Sequence, residues 1–113
     1  MPGFVVARDA AVVVVLCMLC ACASSPAAKR SSGPPPPNIA SGKLTYDRNC
    51  AACHGEDGTG GILGPALRHE RGRRSHAWIV KTIVDPDFPM PKLYPASLSK
   101  ADVRNVTAYV ETL

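Results

Sequence analysis

The hydrophobic residues of this chain form one long apolar run near the N-terminus and three shorter stretches with helical spacing. Apolar positions typical of a helix face recur from Ile39 to about Cys53, from Trp78 to Val84, and from Val103 onward. The strict alternation of apolar and polar residues that marks a half-buried strand does not occur. We therefore predict an all-α fold of three or four short helices with long, irregular loops.

Local capping signals define where the later helices begin. Ser75 can cap the second helix, and the Asp85-Pro86 pair must end it. Ser99 and Asp102 resemble a capping box, with Asp in place of the preferred Glu, at the start of the last helix. The residues predicted to face inward on that helix are Val103, Val106, Val110 and Leu113.

Between the first and second helices lies a glycine-rich loop. Five glycines and a proline fall within residues 55–65, which excludes regular structure there and lets the backbone approach a bulky group closely. A proline-stiffened loop over residues 86–95 separates the second helix from the last.

The N-terminal apolar run predicts a signal peptide over residues 1–21. Its core has the length of a signal-peptide h-region and is short for a membrane-spanning helix. The sequence Leu-Cys-Ala-Cys ending at Cys22 resembles a bacterial lipobox, so we favour lipidation of Cys22 and attachment to the membrane through it. Ala21-Cys22-Ala23 also fits ordinary cleavage, and an uncleaved anchor or a free protein stays open.

A tether is predicted to follow. Residues 22–38 are rich in serine and proline and end in four consecutive prolines, which favour an extended polyproline conformation. Such a spacer would hold a domain at residues 39–113 away from a membrane, although passive disorder is the alternative. The predicted location is the periplasmic side of a bacterial envelope, either lipid-anchored or soluble.

The short length of the domain indicates that it needs a stabilising element besides its hydrophobic core. So short a domain cannot bury a generous core, and domains of this size usually rely on disulfides, a metal or a prosthetic group. Two of the five cysteines lie in the predicted signal peptide, and the remaining three make a poor disulfide framework. The formal net charge of +4 suits an acidic redox partner or a membrane surface, but it is also common in proteins with neither role. Nucleic acid is not a predicted partner, because no basic face is interleaved with aromatic residues.

Residues 50–54, Cys-Ala-Ala-Cys-His, form the motif with the most specific chemistry. The thiols of Cys50 and Cys53 can form thioether bonds with the vinyl groups of haem, and the adjacent His54 can bind its iron. At the end of a helix this spacing places both sulfurs on one side. The predicted cofactor is one covalently bound haem c.

Two other interpretations of the motif are weaker. A thioredoxin-like dithiol requires a βαβ context, which the sequence lacks. A zinc site built with His54, His69 or His76 lacks a second compact pair of ligands.

Met90 is the candidate for the second axial ligand of the iron. It is the only methionine left once residues 1–21 are removed, and Pro89 and Pro91 stiffen the chain on both sides of it. The alternative is a methionine that fills a gap in the core. His69 and His76 are rival ligands, but their charged or polar neighbours favour surface positions.

Several motifs follow one another in a fixed order over residues 40–113. They are Gly42, Tyr46, Cys50, Cys53, His54, Gly64-Pro65, Met90-Pro91, and the helix that follows Leu98-Ser99 with Asp102, Val106, Tyr109 and Val110. In this order they resemble the class I cytochromes c, and the short segment between Pro65 and Met90 resembles the compact bacterial monohaem members.

This resemblance implies a cytochrome c fold wrapped around one haem, with His54 and Met90 as metal ligands. It also implies that Tyr109 crosses the first helix closely at Gly42. The carbonyl of Pro65 would accept the proton on the other ring nitrogen of His54 and so orient it.

The implied function is one-electron transfer without catalysis, either as a free or tethered shuttle or as the cytochrome subunit of an oxidoreductase. A sensor or peroxidase would require Met90 to leave the iron. The basic patch at residues 68–74 could pair with a haem propionate, dock an acidic partner or be a solvated loop. Trp78 could donate a hydrogen bond to a propionate or belong to the core.

Overall fold

The computed structural model describes residues 33–113, which contain five helices and no strand. The predicted signal peptide, Cys22 and most of the predicted tether lie outside this range. The helices are α1 (Ile39–Asn49), α2 (Ala51–His54), α3 (Glu70–Arg73), α4 (His76–Val84) and α5 (Lys100–Val110). The all-α prediction is confirmed for this part of the chain, and none of its helices is long and apolar enough to cross a membrane.

The first predicted helix is interrupted at Cys50. Its φ of −118° departs from helical geometry, so α1 ends at Asn49 and the single turn of α2 begins at Ala51. The side-chain amide of Asn49 donates to the carbonyl of Thr45, in the competition with backbone bonding that is typical of asparagine near a helix end. Cys50 therefore lies at the break between α1 and α2, whereas Cys53 lies within α2.

The helix starts predicted from capping are confirmed. The Ser75 side chain accepts a hydrogen bond from the Trp78 backbone at the start of α4, which ends at Val84. At α5, Ser99 accepts from the backbone N–H of Asp102, and the Asp102 carboxylate accepts from the backbone N–H of Ser99. Both halves of the capping box are therefore present.

The core is built where α1 crosses α5. Gly42 lies against the backbone of Asn105, and a Cβ at position 42 would overlap the Asn105 carbonyl oxygen and lie 2.9 Å from the Cβ of Tyr109. The Tyr109 ring packs against the ring of Tyr46, with 5.3 Å between centroids. The close crossing of Gly42 and Tyr109 is thus present, and Ile79 of α4 completes the core together with Val106 and Val110 of α5.

The loop between α2 and α3 has the irregular geometry that its glycines predict. Gly55, Gly58 and Gly60 all adopt positive φ, and the Tyr46 hydroxyl donates to the Gly55 carbonyl at 2.7 Å. The loop is thereby anchored to α1. A short helix that was not predicted, α3, then forms within the basic patch.

Candidate functional site

A cavity of about 590 Å³ lies between the α1–α2 junction, the glycine-rich loop, α4, the loop that follows α4, and α5. Its walls include all five site residues predicted in the domain: Cys50, Cys53, His54, Pro65 and Met90. They are separated by up to 40 positions in sequence, so only the fold brings them together. The volume lies within the range of sites for small molecules and cofactors, about 300–1,000 Å³.

His54 is buried, and the environment of its ring defines its tautomer. Its Nδ1 lies 2.8 Å from the carbonyl oxygen of Pro65. Because a carbonyl can only accept a hydrogen bond, Nδ1 must carry the hydrogen, which leaves the lone pair of Nε2 available for a metal. The ring therefore has the tautomer that a metal ligand bound through Nε2 requires.

Gly64 packs directly against this ring. A Cβ at position 64 would lie 3.0 Å from Nδ1 of His54 and 2.9 Å from the carbonyl oxygen of Cys53. A side chain here would displace either the imidazole or the backbone that carries it. Gly64 thus leaves the space that the His54 ring needs, and the carbonyl of Pro65 fixes the orientation of the ring.

The two cysteines are half-buried free thiols. Burial, assisted by the neighbouring Cys53, raises the pKa of Cys50 to about 11. A redox-active dithiol requires the opposite shift, because the thiolate is the reactive form. Among residues 33–113, no three His, Cys, Asp or Glu side chains are grouped as a metal site would require. The geometry therefore favours neither the thioredoxin-like nor the zinc interpretation.

Met90 lies half-buried in the loop that follows α4, and its backbone N–H donates to the carbonyl of Asp87 at 3.1 Å. Lys92 forms an ion pair with Asp85 at 2.7 Å across the base of this loop. The Lys92 ammonium group holds the pKa of the Asp85 carboxyl below its usual value. His69 and His76, the rival ligands, are both exposed, and neither lines the cavity.

Two further residues of the cavity wall carry contacts that the sequence did not predict. Trp78 is 42% exposed, so it is not a core residue, and the guanidinium of Arg74 lies 4.4 Å from its ring centroid. Glu70 pairs with Arg73 at 2.8 Å. Both contacts join residues three or four positions apart, but the pair of Glu70 with Arg73 depends on the short helix α3, which was not predicted.

The residues of the cavity fit haem c. Cys50 and Cys53 offer two thiols for thioether bonds, while the imidazole of His54 and the thioether of Met90 are ligands that haem iron accepts. Apolar side chains form much of the remaining wall, including Leu67, Ile79, Ile83, Leu93, Val106 and Val110. Such a wall suits a large apolar ring.

Comparison with known families identifies the domain. The family described as cytochrome c oxidase, cbb3-type, subunit III matches residues 37–110, a range that contains the lining of this cavity and all five described helices. The chain belongs to this family of c-type cytochrome domains. Its cofactor is therefore covalently bound haem c.

Individual relatives agree with this assignment. The chain is 38% identical over 80 residues to the cbb3-type cytochrome c oxidase subunit CcoP of Cereibacter sphaeroides, covering 66% of this chain and 27% of that protein. It is 37% identical over 73 residues to a cytochrome c-553-like protein of Synechocystis sp., covering 64% and 66% of the two chains. CcoP of Azospirillum sp. is 29% identical over 84 residues, covering 66% and 28%.

The c-type cytochrome domain thus spans only about a quarter of the length of its CcoP relatives. No solved structure matches the chain.

Proposed function

We propose that this c-type cytochrome is a one-electron carrier whose haem is attached through Cys50 and Cys53 and ligated by His54 and Met90. The observation that carries the proposal is the convergence of these four side chains on one cavity of about 590 Å³. The orientation of the His54 ring supports it, since its Nδ1 is engaged by Pro65.

The side chains around the cavity would orient the iron ligands and set the reduction potential of the haem. When bound, the haem supplies a one-electron couple between ferric and ferrous iron. The Pro65 carbonyl, by accepting from Nδ1, makes the His54 imidazole a stronger ligand and prevents its rotation. As a ligand, the soft thioether of Met90 would favour the ferrous state together with the apolar wall, and both would raise the reduction potential.

If His54 and Met90 both hold the iron, the bound haem would leave no position open for dioxygen or peroxide. We therefore propose electron transfer without catalysis as the activity of this domain. A sensor or peroxidase function would need Met90 to dissociate.

The visible spectrum of the full chain, matured in a host that attaches haem c, tests the ligand set. We expect the oxidised protein to have the weak far-red band of sulfur–iron ligation, and Met90→Leu to lose this band and bind carbon monoxide when reduced. His69→Gln, at an exposed histidine outside the cavity, is the matched control and should keep the band. A wild-type protein without the band would exclude Met90 as the ligand.

The proposed location is the periplasmic side of a bacterial membrane, with attachment through a lipid on Cys22. The support lies in the sequence of residues 1–38, namely the apolar run, the lipobox-like end and the proline-rich spacer. We expect the full-length protein to take up a fatty-acid label and remain with membranes, and Cys22→Ser to lose both properties. Cys20→Ser, in the same stretch, is the control. An unlabelled wild type in the soluble fraction would favour the soluble periplasmic alternative.

A second candidate function is that of a dedicated subunit of an oxidoreductase, which is favoured by the two CcoP relatives, both named as subunits of a cytochrome c oxidase. The proposed partner, whether transient or permanent, presents acidic groups, because the arginines at positions 68, 71, 73 and 74 are all exposed. Affinity purification from membranes at low and at high ionic strength separates the two roles. A complex that survives high salt indicates a subunit, and electron transfer that slows steeply with salt indicates a shuttle.

A further inference from the structure

The loop that carries Met90 is held by few contacts of its own. Within residues 86–92, only one backbone hydrogen bond is present, from Met90 to Asp87, because three of the seven residues are prolines without an N–H group. The ion pair of Asp85 with Lys92 joins the two ends of the segment at 2.7 Å. Asp85 lies where the loop leaves α4, and Lys92 lies two positions after Met90.

The position of Asp85 is unfavourable for the helix that precedes it. Asp85 is the C-cap of α4, where the partial negative charge of the helix end repels a carboxylate. Lys92, seven positions later, compensates this repulsion by neutralising the carboxylate. Asp85 therefore does not stabilise α4. Its favourable interaction is the ion pair with Lys92 across the loop.

We propose that the Asp85–Lys92 ion pair is a positioning device that closes the Met90 loop and keeps the thioether of Met90 directed at the metal. This inference rests on the proposed ligation by Met90. Asp85 and Lys92 are positioning residues, since they act through the loop and not on the haem iron itself.

The size of the expected effect follows from the exposure of the pair. The side chains of Lys92 and Asp85 are 60% and 66% exposed, and such pairs contribute little to global stability. Opening of this loop should be more sensitive to loss of the ion pair, because the free energy of local opening is a small fraction of the free energy of global unfolding. We expect loss of the pair to raise the equilibrium constant for opening about 2- to 5-fold.

The chain offers a matched control in the ion pair of Lys43 with Asp47 on α1. It has the same 2.7 Å separation and is also exposed, at 52% and 39%, but neither residue lines the cavity. Lys92→Gln and Lys43→Gln therefore remove the same chemistry from two exposed sites, of which only one closes the Met90 loop.

The experiment uses the oxidised holoprotein and added imidazole, which can bind the iron only when Met90 has left it. We expect Lys92→Gln to bind imidazole about 2- to 5-fold more tightly than wild type at low salt. Lys43→Gln should bind imidazole as tightly as wild type does. Lys92→Arg and the exchanged pair Asp85→Lys/Lys92→Asp keep an ion pair at this position and should also have the wild-type affinity. High salt should abolish the difference. The urea midpoint for loss of helicity should change equally little in both glutamine variants.

Two outcomes distinguish an error in the proposed Met90 ligation from an error in the proposed positioning role. A wild-type holoprotein without the far-red band would overturn Met90 ligation and this inference together. A wild type with the band, but with Lys92→Gln and Lys43→Gln indistinguishable in imidazole affinity, would overturn the positioning role alone.

Discussion

His54 is held by two neighbours that act on the same edge of its ring. The Pro65 carbonyl accepts from Nδ1, and the absence of a side chain at Gly64 leaves the space that the ring occupies. We expect Gly64→Ala to weaken the Nδ1 hydrogen bond, and therefore to raise the reduction potential, because a less basic imidazole stabilises ferric iron less. The effect should be of the order of one hydrogen bond, about 1 kcal/mol. Spectroelectrochemical titration measures it.

Gly61→Ala is the matched control for this prediction. Its Cβ would also lie 2.9 Å from the carbonyl oxygen of Cys53 but would not meet the His54 ring. A shift in potential that is equal in the two variants would contradict the role assigned to Gly64, since crowding of the Cys53 carbonyl would then explain both.

Residues of the site differ in how far the sequence could predict them. Cys50, Cys53 and His54 are readable from their spacing alone, and Met90 follows from elimination once the targeting segment is set aside. The hydrogen bond to Pro65 followed only from the family resemblance. Arg74 could not be predicted to lie over a tryptophan, because its position depends on the turn between α3 and α4.

At the scale of elements, the crossing of α1 and α5 depends on one missing side chain. A Cβ at Gly42 would meet the backbone of Asn105, which cannot rotate away, so the two helices would have to separate. We expect Gly42→Ala to lower the free energy of unfolding of the holoprotein by about 1–3 kcal/mol. Urea titration followed by circular dichroism measures this change.

Gly72→Ala serves as the control for the crossing, because nothing lies within 4 Å of a Cβ at that position. It should leave stability unchanged or raise it slightly, as alanine has the higher helix propensity. Equal destabilisation by both alanines would argue against a close crossing.

The capping box of α5 predicts a dependence on pH. Hydrogen bonds from Ser99 hold the pKa of the Asp102 carboxyl below its usual value. The ionised form is therefore favoured by folding, and its contribution is present above the ordinary aspartate pKa of about 3.9 and lost as the pH falls through the lower folded value. We expect Asp102→Asn to cost about 1 kcal/mol near neutral pH. This cost should shrink in acid.

Urea midpoints measured from neutral pH into acid test this prediction, with Asp57→Asn as the control on an exposed loop. A cost for Asp102→Asn that is the same at all pH values would indicate that the carboxylate charge has no part in the cap.

Helix boundaries were predictable where the signal is local. Ser75 and Ser99 cap backbone groups only three residues away, so their sequences are sufficient. The helix α3 was missed because it consists of charged residues and Gly72, without apolar periodicity. The interruption at Cys50 was missed because a continuous helix and two segments with a break have nearly the same apolar pattern. The hydrogen bond from the Asn38 backbone to the Asn105 side chain joins residues 67 positions apart and has no local signature.

At the scale of the whole molecule, the helices enclose more space than their side chains fill. Three residues of the core, Ile79, Val106 and Val110, also form the cavity wall. At about 24 cal/mol per Å³, leaving 590 Å³ empty would cost at most roughly 14 kcal/mol, an upper bound because the cavity is open to solvent. The entire free energy of unfolding of a small domain is only about 5–15 kcal/mol. We therefore expect the fold to depend on the group that fills the cavity.

Folding of the domain should depend on covalent attachment of the haem. The double variant Cys50→Ser/Cys53→Ser cannot form thioether bonds, and we expect its far-UV circular dichroism to show a largely unfolded chain. Ala52→Ser, at an exposed position between the two cysteines, should retain haem and full helicity when produced in the same host. Native helicity in the haem-free double variant would mean that the contact between α1 and α5, with its two packed tyrosines, is sufficient to hold the helices together. The cavity would then be a property of the protein fold alone, and haem attachment would follow folding instead of driving it.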